Sequence, residues 1–200
     1  ASVTIVDRNL IEQRGATNTQ EILKSVPGVL AASPPGSAGS VTYRGFGSSS
    51  LTQMFNGITV QYDAIAARPV DSWIYDRVEV VGGPSTFLFG AGAVGGSINN
   101  ITKTASKSGD FTQARASYGS FDTSQLSFGL NRQLGDDVGV KNYVRADINR
   151  TNSNGYVDGN EREAWSGAFS LLTEFTPNLS HTLALEYQNE QDDRVYWGTP

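Results

Sequence analysis

Cysteine is absent from the 200 residues, and histidine occurs once, as His181. That excludes a disulfide framework, a thiolate metal site, a cysteine nucleophile and every site that needs two histidines, the H-E-x-x-H helix included. His181 flanks a turn at the start of a strand-like run, where a solvated or interfacial side chain and a lone metal ligand are the two readings. Long apolar runs are missing too. No segment reaches the roughly 20 residues of a membrane-spanning helix, although a membrane-spanning strand needs only about 9 to 11. Residues 1–6 lack the basic start and apolar stretch of a secretory signal. Lys and Arg balance Asp and Glu at 8 each over residues 1–110 but stand at 7 against 12 over residues 111–200, so the second half carries the whole net charge of −5. An acidic half with no basic cluster argues against nucleic acid as a partner. No G-x-S-x-G elbow occurs, and Ser48, Ser49 and Ser50 lie in a glycine-flanked loop without a base.

What the chain has is glycine, 22 residues of it, and a 38% hydrophobic fraction compatible with a packed core. The stretch from Arg77 to Lys103 reads RVEVVGGPSTFLFGAGAVGGSINNITK. Arg77 to Val81 alternates polar and β-branched residues, as a half-buried strand does. Gly82, Gly83 and Pro84 end it, since glycine accepts positive φ and proline withholds a donor. Gly90, Gly92 and Gly95 spell G-x-G-x-x-G, the pattern that lets a pyrophosphate approach the start of a helix in nucleotide-dependent enzymes. The residues after it, Gly96 to Thr102, are β-formers and turn-formers, where that motif needs ten or so helical residues.

The order of residues across this stretch resembles the end of the plug domain of TonB-dependent outer-membrane receptors, whose usual form is close to RVEVLKGPxSxLYGxGAxGGxINxxTK. The match includes Arg77, Val78, Glu79, Val80, Gly83, Pro84, Gly90, Gly92, Gly95, Gly96, Ile98, Asn99, Thr102 and Lys103. It departs at Gly82, where the family usually has Lys or Arg, and at Phe89, where Tyr is common. A second, independent resemblance to the same domain lies in VDRNLIEQRGATNTQEILKSVPGV near the start.

Read in order, Ser2 to Val6 is a strand, and Asp7 caps a helix over Arg8 to Arg14 that Gly15 stops. Thr17 with Gln20, or Asn18 with Glu21, forms a capping box for a second helix that Pro27-Gly28 terminates. Ser33 to Ser40 is an exposed loop. Val41 to Tyr43 resumes a strand that Arg44-Gly45-Phe46-Gly47 turns. Asn56-Gly57 between Met54-Phe55 and Ile58-Thr59-Val60 is a hairpin signal, because both turn residues tolerate positive φ.

From Phe111 the pattern has period two, with five long strands. Leu126, Phe128 and Leu130 alternate with Gln125, Ser127, Gly129 and Asn131. Val138, Val140, Val144, Ala146 and Ile148 alternate with Lys141, Tyr143, Arg145, Asp147 and Asn149, which puts every charge of that strand on one face. Trp165, Phe169, Leu171 and Phe175 continue the scheme, as do Leu183, Leu185 and Tyr187. Leu134 to Asp137 and Thr176 to Asn178 read as short turns and Arg150 to Glu163 as a longer polar loop, the asymmetry of bacterial barrels. By that alternation, Arg150 to Glu163 and the tail from Glu190 lie on the outer side. A soluble sandwich with one wet face has the same alternation; the resemblance upstream selects the barrel. The acidic groups at Asp158 to Glu163 and at Glu190, Asp192 and Asp193 offer oxygen ligands to Ca²⁺ without EF-hand spacing, and solvated outer loops are the other reading.

The resemblance implies an α+β plug domain over residues 1–108, followed over residues 109–200 by antiparallel transmembrane β-barrel strands, the first five of about 22. Further strands are then expected beyond Pro200 and a TonB-contacting segment before residue 1. It implies a bacterial outer-membrane receptor that imports a ferric siderophore, with outer-membrane lipid around it and with no catalysis, resident cofactor or metal. A receptor for cobalamin, a sugar or another metal complex is the nearest alternative, and a soluble nucleotide-binding enzyme the most distant. Arg44 on its glycine turn offers a fork of donors to the oxygens of an anionic chelate, or else an ion pair from plug to wall. Phe46, Gln53 and Tyr62 complete the candidate site, with ordinary packing as the other reading for the two aromatic residues.

Overall fold

The computed structural model describes residues 2–32, 39–59, 69–84, 94–137 and 139–193. These fall into two compact units divided between Thr102 and Lys103.

The first unit is α+β. Strand β1 (Ser2–Val6) is followed by helices α1 (Arg8–Gln13) and α2 (Thr19–Leu23), then β2 (Val29–Ala32), β3 (Ser40–Tyr43), β4 (Leu51–Phe55), β5 (Ile58–Thr59), β6 (Tyr75–Gly82) and β7 (Gly96–Thr102). Asp7 accepts from the Leu10 amide and caps α1. Of the two alternatives for α2, Asn18 is the cap, accepting from the Glu21 amide at 3.0 Å. Glu21 then reaches back to the amide and hydroxyl of Thr17, at 2.7 and 2.9 Å. Strands β1, β6, β7, β4 and β5 form one sheet in that order, antiparallel except for the parallel pair β4–β7, and β2–β3 pair separately. One face of the sheet, with Val6, Val78, Val80 and Ile98, packs with Ile11, Ile22 and Leu23 of the helices into the core. Alternation in β6 sends Arg77 and Glu79 to the other face, where they bond at 2.7 Å. That bond raises the Arg77 pKa above its ordinary value, against desolvation and with help from Asp76.

Asn56 and Gly57, at φ 50° and 80°, make the two-residue turn between β4 and β5. The turn is docked as well as formed: Asn56 Oδ1 accepts from the Thr102 amide, and the Gly57 amide donates to Asn99 Oδ1, both at 2.9 Å. Gly82 is explained by space. A Cβ there would collide with the Tyr43 hydroxyl and Ser2 Oγ, so a basic side chain does not fit beside Tyr43 as it stands.

The second unit is an antiparallel meander: β8 (Phe111–Gly119), β9 (Thr123–Asp137), β10 (Val140–Ser153), β11 (Arg162–Thr176) and β12 (Leu179–Asp192), each paired with its neighbours in sequence. Four of these run 14 or 15 residues, well beyond the usual five or so of soluble sheets. Two expected boundaries move. Leu134 to Asp137 is not a turn: Gly135 is absorbed as a bulge in the β9–β10 ladder, and the chain reverses later, by Gly139 at φ 81°. The loop expected from Arg150 to Glu163 shrinks to residues 154–161, because the β10–β11 ladder persists to Ser153 opposite Arg162. Polarity did not end either strand, since a ladder needs backbone groups and not apolar side chains. The reversal at Pro177 and Asn178 falls where expected.

Burial in this unit is inverted. Gln125, Ser127, Asn131, Asp147, Asn149, Thr151, Ser166 and Ser170 are buried, while Leu126, Phe128, Ile148, Trp165, Phe169, Leu183, Leu185 and Tyr187 are exposed. Several of the buried polar groups bond to one another: Ser127 Oγ donates to Asn149 Oδ1 at 2.6 Å across β9 and β10, and Gln125 Nε2 and Asn149 Nδ2 both donate to Thr151 Oγ1, whereas Ser166 Oγ has no hydrogen-bond partner among the described residues. On β11 the exposed apolar side chains Trp165 and Phe169 stand about 13 Å apart along the strand, and half-buried Leu171 and exposed Phe175 continue the same face.

Candidate functional site

Tyr43 and Phe46 exchange two backbone hydrogen bonds at 2.9 Å, closing a tight turn with Arg44 and Gly45 at its centre. Both central residues have positive φ, 48° at Arg44 and 86° at Gly45. Glycine accepts that conformation freely, but a long side chain pays about 1–3 kcal/mol for it, so Arg44 is a local outlier of the kind that marks functional positions. The strain is held in place from both sides. The Arg44 amide donates to Gly28 O at 2.8 Å, and its guanidinium lies over the Tyr43 ring, 5.0 Å from the centroid. Among the described residues the exposed guanidinium has no ion pair. Phe46 is 44% exposed and rests on Gly95, where an added Cβ would stand 2.5 Å from Phe46 Cβ. The third glycine of the G-x-G-x-x-G pattern is thus a seat for an aromatic ring.

Of the four residues expected at the site, Arg44 and Phe46 share this turn. Gln53 stands in β4 opposite Ile98 and is 5% exposed. Tyr62 lies outside the described residues, as do Gly90 and Gly92. The sequence presents Tyr43 only as a strand residue and Gly95 only as a motif glycine, and not as parts of this turn; the signal for Gly95 was a glycine without the helix its motif needs. That helix is absent here, because Gly96–Thr102 is strand β7.

Neither alternative metal position gathers ligands. His181 is exposed, Glu163 is paired with Arg150 at 2.9 Å and Glu190 with Arg162 at 3.3 Å. Among the described residues no three His, Cys, Asp or Glu side chains are grouped to hold a metal ion.

An α+β domain with a strained, exposed arginine turn, followed in sequence by long strands that bury polar groups and expose apolar ones, defines the class: a plug domain leading into the wall strands of an outer-membrane barrel. The family comparison agrees, since residues 1–97 match the TonB-dependent Receptor Plug Domain. The chain belongs to the TonB-dependent receptors, a family of bacterial outer-membrane receptors and transporters. It is 32% identical over 136 residues to the vitamin B12 transporter BtuB of Vibrio vulnificus, covering 66% of this chain and 22% of that protein. It is 28% identical to the probable TonB-dependent siderophore receptor PiuA of Acinetobacter baumannii, over 100% of this chain and 26% of that protein. The ferripyoverdine receptor of Pseudomonas aeruginosa superposes with a TM-score of 0.84 over 94% of this chain and 25% of its own, a likeness of fold at 24% identity. The chain thus spans about a quarter of the length of the relatives it matches.

Proposed function

We infer that this chain is the plug and opening wall of a receptor that carries a ferric siderophore across the bacterial outer membrane, driven by TonB, and that it is not an enzyme. In this reading the plug comprises residues 1–108 and the wall begins at residue 109. The observation that carries the membrane reading is the inverted burial of β9–β12, because a sheet facing water on one side would put Leu126, Phe128 and Leu185 inward. The siderophore is supported by the match to PiuA along the whole chain and by the exposed arginine fork at Arg44, which has no ion pair among the described residues. Arg44 meets the oxygens of the anionic chelate and Phe46 supplies an apolar wall, with Tyr62 completing the site. Gln53, buried at rest, meets the chelate in this reading only once β4 is uncovered. A cobalamin receptor is the second reading, favoured by the higher identity to BtuB over residues shared with it.

The test uses cells whose only such receptor is the full-length protein. Growth on a panel of ferric hydroxamates and catecholates is expected for at least one chelate and is lost without TonB. Arg44→Ala weakens binding of that chelate by about 10- to 100-fold, the worth of hydrogen bonds to a charged group. Uptake of cobalamin with no growth on any iron chelate would replace the first reading with the second.

A further inference from the structure

Residues 103–110 form neither helix nor strand, yet side chains from three strands of the second unit hold them. The Lys103 ammonium reaches Asp147 Oδ1 of β10 at 3.4 Å, and Arg145 Nε donates to the other oxygen at 2.7 Å, so one buried carboxylate takes two cations. From β11, Ser170 Oγ accepts from the Ala105 amide and Glu174 pairs with Lys107. From β9, buried Asn131 uses its whole amide: Oδ1 accepts from the Ser106 amide, and Nδ2 donates to the carbonyls of Ser106 and Gly109, each at 2.9 Å. Asp110 closes the segment by accepting from the Gln133 amide at 2.8 Å.

The sheet of the first unit has a seam of the opposite kind. Along the parallel β4–β7 pair, Thr52 Oγ1, Ser97 Oγ and Asn100 Oδ1 are buried without hydrogen-bond partners among the described residues, and Thr52 stands opposite Ser97. Buried polar atoms left unsatisfied lower the cost of opening a structure, because water satisfies them once it enters.

We propose that residues 103–110 are a fixed strap at which a force-driven rearrangement of the upstream domain stops, while the β4–β7 seam is where it yields. The inference rests on the TonB-driven reading above. Strand pairs pulled apart from one end lose their bonds one at a time. The strap meets the same pull with a buried two-cation carboxylate at its first residue and side chains of three strands behind it, so each bond that fails leaves others, on different strands, still holding. Detaching Lys103 would also leave a buried carboxylate short of a cation, which raises the barrier further.

The absence of cysteine from this chain provides the reporter. Ser97→Cys and Ala105→Cys are placed singly in the full-length receptor, otherwise free of cysteine, and maleimide labelling is followed in cells during transport. Both positions are buried at rest. With TonB active, Ser97→Cys is expected to label at least about tenfold faster than Ala105→Cys, the signature of local opening that ends between them. Asp147→Asn combined with Asn131→Ala brings the two rates within about threefold while the receptor stays in the membrane. Equal labelling at both positions with the strap unaltered overturns the proposal, and that comparison decides alone if the strap variants fail to assemble. Labelling at Ser97→Cys that is the same with and without TonB overturns the driven reading itself, and the strap's role falls with it.

Discussion

Val78 in β6, between Arg77 and Glu79, and Phe128 in β9, between Ser127 and Gly129, occupy equivalent places in alternating strands. Val78 is 0% exposed and Phe128 is 41% exposed. Period two sorts residues onto two faces but carries no sign; the medium on either side supplies it. In the first unit helices α1 and α2 cover the apolar face and Arg77 and Glu79 face outward. In the second the polar residues are buried and the apolar ones are exposed. The same alphabet has been used with opposite polarity on either side of Thr102.

The largest effect should come from the water-type core. Ile98 is fully buried between Val80 and Gln53 in the ladder, and Ile98→Ala leaves a cavity costing about 2–5 kcal/mol. Hydrogen exchange in the full-length receptor should show that loss in β6 and β7 and not in β9–β12. Phe169 tests the other polarity. It is 42% exposed, on the apolar face beside Leu185 and Ala146, and Phe169→Arg should destabilise the receptor by about 2–4 kcal/mol when refolded into phosphatidylcholine vesicles. At so exposed a position a water-facing sheet would register less than about 0.5 kcal/mol, and that result would remove the distinction between the two units.

Much of this arrangement was legible because it is written in local chemistry. Asp7 and Asn56-Gly57 announce a cap and a hairpin by residue type and the structure places both as expected, while of the two caps the sequence offers for α2 it uses Asn18. The strand ends were less legible. Gly135 reads as a turn residue, yet it enters a bulge; Arg150 to Ser153 read as loop, yet they stay in the ladder, because backbone pairing is indifferent to polarity. The candidate site was legible only in part. Arg44 and Phe46 are adjacent in sequence and on the turn alike, but the seating of Phe46 on Gly95 joins residues 49 positions apart. No local pattern encodes such a contact. The strap was invisible for the same reason: Asn131, Asp147 and Ser170 look like ordinary polar positions of alternating strands until the fold brings them to Lys103–Asp110.

The smallest effect concerns a device that only the first unit uses. Helix α2 has five residues, too few to stand by intrinsic propensity, so its end contacts matter more than its length. Asn18 supplies one, accepting from the Glu21 amide, and frees Glu21 to hold Thr17. Asn18→Ala should cost about 1 kcal/mol. Amide exchange at Ile22 and Leu23, which sit in the core beneath the cap, should then quicken about fivefold. The long strands have no comparable end to lose, since their backbone groups are paired along the ladders, and exchange across Val144 to Asn149 should stay unchanged. If it quickens equally, the two units open as one cooperative body, and opposite polarity does not separate their stabilities.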